Sequence, residues 1–173
     1  MAFSLTPDYV FDDYRAVTPE FLAGRGVRLL LCDLDYTLAP KRQKEPDGAL
    51  LAWVDALKDA GVTVEIVSNN RSPVRVERFC GDLGVGYTGH AGKPGTRGLA
   101  AAMRKHGVPA GETAMLGDKL LTDALGAKRA GILMLMVEPK GGPVGAWNRV
   151  LHAAQEPFKR RCARDERGSA QKI

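Results

Sequence analysis

The chain has 173 residues, of which 45% are hydrophobic, and this suits one domain whose core needs no disulfides. Its formal net charge of +5 and its isoelectric point near 9.2 favour anionic partners such as phosphates, lipid surfaces or RNA. The apolar run at 132–137 has the length of a strand and is far too short to span a bilayer. Composition therefore predicts neither a transmembrane protein nor a small disulfide-stabilised scaffold.

The start of the chain and the cysteine usage bear on the compartment. Residues 1–8 lack the basic start and the apolar core of an export signal, and the three cysteines show no paired spacing. Both features predict a protein of the reducing cytoplasm. Peripheral contact with the inner face of the membrane stays open as an alternative.

Apolar runs and amphipathic patterns alternate along the chain, which predicts a doubly wound α/β fold with a parallel sheet. A short helix is expected to begin at Thr18-Pro19-Glu20 and to end near Gly24. The next strand is the apolar run that leads to Asp33, and the following helix begins at Asp47. Further strands are predicted at 62–67, 86–88, 113–116 and 132–137, and further helices at 72–80, 99–106 and 120–130.

The same pattern divides the chain into three parts. Residues 1–26 form an amphipathic lead-in, 27–158 form the α/β domain, and 159–173 form a basic, flexible tail. Between Trp147 and Phe158 an apolar face recurs at helical spacing, and it packs on the sheet or lies on an anionic lipid surface. Packing on the sheet is the favoured interpretation, and Lys159-Arg160-Arg161 could contact lipid in either case.

Polar side chains follow the predicted strands, at or shortly after the point where each strand ends. Because the carboxyl ends of parallel strands meet at one edge of the sheet, these side chains are expected to converge. Asp33 and Asp35 repel each other unless a cation or a shared proton separates them. A hard divalent metal is the expected cation, and Mg²⁺ prefers a few carboxylates with room for phosphate oxygens and water. The residues expected to converge are Asp33, Asp35, Ser68, Asn69, Lys93, Asp118 and Asp123.

Each motif has an ordinary structural explanation when it is considered alone. The Asp-x-Asp-x-Thr pattern at 33–37 could be a turn or a helix cap, and Ser68-Asn69-Asn70 could be a loop that bonds to its own backbone. Gly117-Asp118 could be a simple turn. Their occurrence together in α/β order favours a catalytic site, whereas Arg75 is interpreted as a solvated charge.

The four motifs resemble those of the haloacid dehalogenase (HAD) superfamily of phosphotransferases. The first lies at 33–37, and the others are Ser68-Asn69-Asn70, Lys93-Pro94 and Gly117-Asp118 with Asp123. The longer matches at 33–38, 67–70, 92–94 and 116–123 look like the YqeG-type branch of subfamily IIIA, which is related to phosphatidylglycerophosphate phosphatases. The resemblance extends to about Arg161.

Two positions depart from that family's pattern. Tyr36 and Lys119 stand where asparagine and glutamine are more common. Neither position supplies a group that the family uses in catalysis. An extra cation at Lys119, beside Asp118, could nevertheless alter metal or substrate affinity.

The resemblance implies a role for each polar residue. Asp33 is the expected nucleophile, and Asp35 would protonate the leaving alcohol and then activate water. Mg²⁺ would be held by Asp33, by the backbone carbonyl of Asp35 and by Asp118. The other implied roles are phosphate binding by Ser68, Asn69 and Lys93, and support of these groups by Thr37 and Asp123.

The spacing between motifs bears on the substrate, because HAD enzymes usually carry a cap domain after the first or the second motif. Here the intervals 37–62 and 70–93 are too short for a domain, so we expect an open site without a cap. An open site suits a bulky or membrane-embedded phosphate monoester. The resemblance implies phosphatidylglycerophosphate, with phosphatidylglycerol as the product.

Two alternatives stay open at this point. One is a soluble phosphatase for a small or sugar phosphate, with an oligomer partner that covers the site. The other is a basic RNA- or ribosome-binding module in which the acidic site is vestigial. Nucleic acid is disfavoured as a partner, because folding alone does not require four polar groups at one edge of a sheet.

Overall fold

The computed structural model describes residues 5–70, 72–141 and 146–170, and it leaves the side chains of 146–148 and 163–170 undescribed. The predicted apolar position Trp147 therefore lies outside the described side chains. Within the described part of the chain, six strands form one parallel sheet in the order β1-β6-β5-β2-β3-β4. The doubly wound α/β fold predicted from the sequence is confirmed.

The elements follow one another as strands with helical crossovers. The strands are β1 (Tyr9–Phe11), β2 (Leu29–Cys32), β3 (Thr63–Val67), β4 (Gly86–Thr88), β5 (Thr113–Gly117) and β6 (Leu133–Val137). The helices are α1 (Pro19–Ala23), α2 (Gly48–Asp59), α3 (Pro73–Leu83), α4 (Arg97–His106), α5 (Leu125–Ala130) and α6 (Ala146–Ala170). Short 3₁₀ turns lie at Tyr14–Ala16 and Ala110–Glu112, and a π-helical turn spans Leu120–Ala124.

Strand β2 lies in the middle of the sheet, between β3 and β5. Leu30 and Cys32 belong to the core on the side of α1, α2 and α3, whereas Leu29 and Leu31 belong to the core on the side of α4 and α5. All four side chains are fully buried. The strand is continuously apolar because helices cover both of its faces, and its first polar residue is Asp33 at the carboxyl edge.

Two of the predicted helix starts are confirmed by capping hydrogen bonds. The Thr18 hydroxyl accepts from the Phe21 N–H at 3.2 Å, and Pro19 occupies the first helical position of α1. The Asp47 carboxylate accepts from the Leu50 N–H at 2.8 Å and begins α2. These caps fix the residues at which α1 and α2 begin. Helix α2 therefore begins at Gly48, after the loop that carries Asp35.

The lead-in predicted at 1–26 is part of the α/β domain in its described portion. Its Tyr9–Phe11 segment is β1, an edge strand that pairs with β6, and no sequence pattern had predicted it. Tyr9 and Phe11 each stack edge-to-face on Phe21 with ring centroids 5.1 Å apart, and Tyr14 is fully buried. Tyr14 therefore belongs to the core, and Tyr9 and Phe11 pack against it as half-buried side chains of the same domain.

The basic tail predicted from residue 159 also requires correction. Helix α6 continues to Ala170, and Lys159 is buried with its ammonium 2.8 Å from Glu138. Cys162 is buried as well. Lys159 can be buried in the packed helix because Glu138, just after β6, compensates its charge. Of the basic run Lys159-Arg160-Arg161, only Arg160 and Arg161 are exposed.

The intervals between the motifs contain no cap domain in the residues that the structure describes. The first interval holds a loop and α2, and the second holds α3 and β4. The carboxyl edge of the sheet is therefore not covered by an inserted domain. Among the described helices, none combines the length and the apolar character that a bilayer crossing requires.

Candidate active site

The polar residues predicted at the strand ends come together at the carboxyl edge of the sheet. Asp33 follows β2, Asp118 follows β5, and Lys93 lies in the loop between β4 and α4. Hydrogen bonds and ion pairs connect these residues into one cluster. Its members are Asp33, Asp35, Thr37, Ser68, Asn69, Lys93, Asp118 and Asp123, of which all but Asp35 and Asn69 are buried.

Lys93 is the central cation of this cluster. Its Nζ lies 2.8 Å from Asp33 Oδ1 and 2.7 Å from Asp123 Oδ1, and only 2% of its side chain is exposed. Burial acts to lower the pKa of Lys93, but the Asp123 and Asp33 carboxylates raise the pKa above its ordinary value. Lys93 is therefore a permanent positive charge held against Asp33.

The loop after β3 positions Lys93 through its backbone. Asn69 Nδ2 donates to the Lys93 carbonyl at 2.8 Å, and Asn69 Oδ1 accepts from the Lys93 N–H at 2.9 Å. The Ser68 hydroxyl oxygen accepts from the Asn70 N–H at 3.0 Å, and this contact fixes the turn. The side chain of Asn69 thus connects two strand ends, a contact that the sequence analysis did not predict.

Asp118 lies on the opposite side of Asp33 from this loop. Its Oδ1 accepts from the Thr37 hydroxyl at 3.1 Å and from Lys119 Nζ at 2.9 Å. Burial raises the pKa of Asp118 to about 6, and the nearby Lys119 ammonium opposes that rise. Burial likewise raises the pKa of Asp123. The three carboxylates of Asp33, Asp118 and Asp123 outnumber the two ammonium groups of Lys93 and Lys119 that contact them.

Lys119 occupies a notable position among the oxygens of the site. Its Nζ lies 2.9 Å from Asp118 Oδ1, 3.5 Å from the Asp35 carbonyl oxygen and 3.8 Å from Asp33 Oδ2. These are the same three groups that the family resemblance implies as metal ligands. The three carboxylates of Asp33, Asp118 and Asp123 also have ligand atoms within 4.8 Å of one another.

The donor set fits a hard divalent cation. Every candidate ligand is an oxygen, and the three carboxylates are buried close to one another. Asp123 is the least available of the three, because its Oδ2 accepts from the Lys119 N–H at 3.1 Å and its Oδ1 contacts Lys93. The remaining oxygens are those of Asp33, Asp118 and the Asp35 carbonyl.

The carboxylate of Asp35 is held by Arg75, for which the sequence predicted a solvated charge. Arg75 NH1 lies 2.6 Å from Asp35 Oδ1, and Asn70 Nδ2 donates to Asp35 Oδ2 at 2.8 Å. Arg75 is mostly buried and is not a solvated charge. It extends from the first turn of α3 toward the end of β2, a long-range contact that residue spacing does not reveal.

The π-helical turn Leu120–Ala124 brings Asp123 back to the strand end. A Cβ added to Gly117 would lie 2.5 Å from the side chain of Asp123, so the last residue of β5 must be glycine for Asp123 to approach. The extra residue of the π-turn changes the register of this segment from the plain α-helix predicted there. Asp123 can thus reach both Lys93 and the Lys119 N–H.

Tyr36 has a left-handed backbone conformation, with φ of 69°. Asparagine and glycine tolerate this region better than an aromatic residue, so this conformation suits the asparagine that the resemblance leads us to expect at this position. The Tyr36 ring lies 5.6 Å from Lys119 Nζ, at a distance typical of a cation–π contact. The two departures from the family pattern are therefore neighbours in space.

Comparison with known sequences identifies relatives of this chain. A model of the family described as haloacid dehalogenase-like hydrolase matches residues 8–131. The probable phosphatase YqeG of Bacillus subtilis strain 168 is 34% identical over 146 residues, which cover 83% of this chain and 84% of that protein. The family match over residues 8–131 includes all four motifs of the candidate site.

Solved structures share the fold at lower identity. The cobalt-bound deoxy-D-mannose-octulosonate 8-phosphate phosphatase of Haemophilus influenzae is similar with a TM-score of 0.52 and 17% identity, covering 78% of this chain and 90% of that one. The 3-deoxy-D-manno-octulosonate 8-phosphate phosphatase of Moraxella catarrhalis, in complex with magnesium, phosphate and its KDO molecule, gives 0.52 and 18%, covering 76% and 87%. These similarities show a common fold.

The charge balance of the cluster predicts the effect of removing one carboxylate. A raised pKa means that the folded protein loses stability when Asp118 ionises, and that this loss fades as the pH falls through about 6. Asp118→Asn should therefore stabilise the protein in EDTA at pH 8 by about 1–2 kcal/mol, with a smaller gain at pH 5. Thermal unfolding measures this difference, and Asp82→Asn, at an exposed carboxylate, is the control. Destabilisation of the Asp118 variant at pH 8 would contradict this account.

Proposed function

Because the chain belongs to the haloacid dehalogenase-like hydrolase family and is a phosphatase, we propose that it is Mg²⁺-dependent, acts through an aspartyl-phosphate and hydrolyses phosphatidylglycerophosphate. The observation that carries the chemistry is the buried contact between Lys93 and Asp33, with Asp118 and Lys119 beside it. A carboxylate so placed meets the requirements of a nucleophile toward phosphorus. The product alcohol is phosphatidylglycerol.

The proposed reaction has two steps. A carboxylate oxygen of Asp33 attacks phosphorus, the bond between phosphorus and the alcohol oxygen breaks, and Asp35 gives its proton to the departing alcohol. A water molecule then loses a proton to Asp35 and attacks the phosphoryl group. The bond between phosphorus and Asp33 breaks, and inorganic phosphate and the free carboxylate of Asp33 are released.

The electrostatic requirements of these steps match the cluster. Mg²⁺, bound by Asp33, Asp118 and the Asp35 carbonyl, would offset the repulsion between the carboxylate and the phosphate. Lys93 contributes a fixed positive charge that needs no reorganisation during the reaction. Ser68 and the backbone N–H of Asn69 are the proposed phosphate donors, while Thr37 and Asp123 orient Asp118 and Lys93.

Arg75 and Asn70 set the position of the proposed acid. Both contact the Asp35 carboxylate, and they hold it on the α3 side of the site, away from the oxygens around Lys119. A general acid must reach the leaving oxygen, whereas the metal ligands must reach the phosphoryl oxygens. The Asp35 carboxylate is held by Arg75 and Asn70, whereas its backbone carbonyl lies near Lys119. Asp35 can therefore serve as general acid through its side chain and as a metal ligand through its carbonyl.

The open carboxyl edge supports a bulky substrate. No inserted domain covers the site in the described residues, so a large alcohol can lie beside it. The neighbours from Haemophilus and Moraxella are named for a sugar phosphate, and a soluble phosphate monoester is therefore the second candidate substrate. A second subunit could then cover the site. Both candidates use the same chemistry and differ in the alcohol that leaves.

Phosphate release tests the mechanism and the substrate together. With Mg²⁺, the protein should release phosphate from phosphatidylglycerophosphate in mixed micelles, and EDTA should abolish this release. Asp33→Asn should lower the rate by about 10⁴-fold or more, because the amide keeps the shape but cannot attack phosphorus. Retention of more than about 1% of the activity would contradict the nucleophile assignment. Turnover of soluble esters alone would keep the mechanism and reject the lipid.

The role of Arg75 is tested by replacing it with methionine. The rate constant kcat for an alkyl phosphate should fall by about tenfold to a hundredfold with little change in KM, since the acid is then poorly placed. An ester with a good leaving group, such as p-nitrophenyl phosphate, should be less affected, and Arg75→Met should add little in an Asp35→Asn background. Arg78→Met, on the exposed face of the same helix, is the matched control. Equal losses for both esters would indicate a merely structural role.

The position of Lys119 predicts competition with Mg²⁺. Its ammonium lies among the proposed ligand oxygens, so it must move when the ion binds. Lys119→Gln should therefore tighten Mg²⁺ binding by roughly tenfold, or about 1.4 kcal/mol. Titration calorimetry and the Mg²⁺-dependent rise in unfolding temperature measure this change without turnover. Lys44→Gln, at an exposed lysine, controls for net charge, and unchanged or weaker binding in Lys119→Gln would refute the competition.

A further inference from the structure

An apolar groove begins where the catalytic cluster ends. It has a volume of about 250 Å³, and Asp118, Lys119 and Tyr36 form its polar end. Beyond them the walls are mostly hydrocarbon, although Thr122, His152 and Gln155 also line the groove. The residues that define the apolar groove are Leu120, Leu121, Pro139, Leu151, Ala154 and Phe158.

The groove is a fixed feature, because α6 is attached beside the π-helical turn by buried polar contacts. The Leu120 N–H donates to Gln155 Oε1 at 2.9 Å, and Gln155 is buried. One turn further, Lys159 Nζ donates to both oxygens of Glu138, at 2.8 and 2.9 Å. These contacts hold one face of α6 opposite Leu120 and Leu121 and leave the space between them.

The exposure of Leu121 is unusual for its position. This residue is 52% exposed although it lines the groove, and it lies three residues from a proposed metal ligand. An exposed large apolar side chain beside a charged site is typical of a surface that binds a ligand. The polar end carries the Lys119 ammonium, which suits the phosphate end of an amphiphile.

We propose that the apolar groove binds a hydrocarbon segment of the substrate's leaving group, so that the enzyme selects amphiphilic phosphate monoesters. The inference rests on the proposed function, since it requires the phosphoryl group to lie at Asp33. A phosphate there directs its ester oxygen out of the cluster, and the groove continues from Asp118 and Lys119. Its volume is below the roughly 300–1,000 Å³ of a typical site for a whole ligand, so it accommodates a segment of chain.

Binding of n-alkylphosphonates tests the groove without turnover. The Mg²⁺-loaded protein is titrated calorimetrically with the ethyl to octyl members, which do not hydrolyse. The dissociation constant should fall by about fourfold per added methylene, equivalent to about 0.8 kcal/mol, until the groove is filled. Leu121→Gln should flatten this series while leaving the ethylphosphonate affinity unchanged. Val150→Gln, at an equally exposed residue of α6 outside the groove, should keep the wild-type slope.

The outcomes separate this inference from the proposed function. A steep series together with no phosphate release from any ester would retain the groove and reject the proposed function. Phosphate release together with a flat series would reject the groove and retain the proposed function. This holds whether the groove is covered by this chain, by a second copy or by solvent. A steep series that Leu121→Gln leaves unchanged would also overturn the assignment of the groove.

Discussion

The buried ammonium of Lys93, held between Asp33 and Asp123, is the interaction on which the rest of the site depends. It joins the end of β2 to the π-helical turn after β5, and it is fixed in turn by Asn69 after β3. Removing one partner of a buried ion pair typically costs about 3–5 kcal/mol, because the other charge remains unpaired in a medium of low polarity. The same contacts that position Asp33, the proposed nucleophile, therefore also stabilise the carboxyl edge of the sheet.

The sequence predicted this edge well, for a physical reason. Parallel strands buried on both faces are continuously apolar, so the first polar residue after each run marks the carboxyl end and hence the site. Asp33, Ser68 and Asp118 were located in this way. The succession of most strands and helices along the chain, and most helix bounds, followed from the alternation of patterns and from caps such as Thr18 and Asp47, whereas the order of the strands within the sheet came from the structure alone.

The contacts that the sequence did not predict are those between residues distant in the chain. Arg75 meets Asp35, and Gln155 meets Leu120, through approaches that depend on how helices lie on the sheet. Strand β1 has three residues and gains its pairing from β6, so its local pattern carries little information. Lys159 looked like part of a solvated tail because its compensating carboxylate, Glu138, lies in another segment. Local sequence patterns reveal periodicity and capping, whereas these four contacts depend on how distant segments of the chain pack together.

The charged cluster adjoins the apolar groove, and this arrangement bears on how water is excluded from, and admitted to, the site of a phosphatase without a cap domain. In the proposed mechanism, the first step benefits when water is excluded, because electrostatic interactions strengthen in a less polar medium, whereas the second step requires a water molecule at phosphorus. A hydrocarbon segment in the groove would shield the side of Asp118 and Lys119 during the first step. Departure of the alcohol would then open that side to solvent for hydrolysis. In such an arrangement the leaving group itself would shield a site that no inserted domain covers in the described residues.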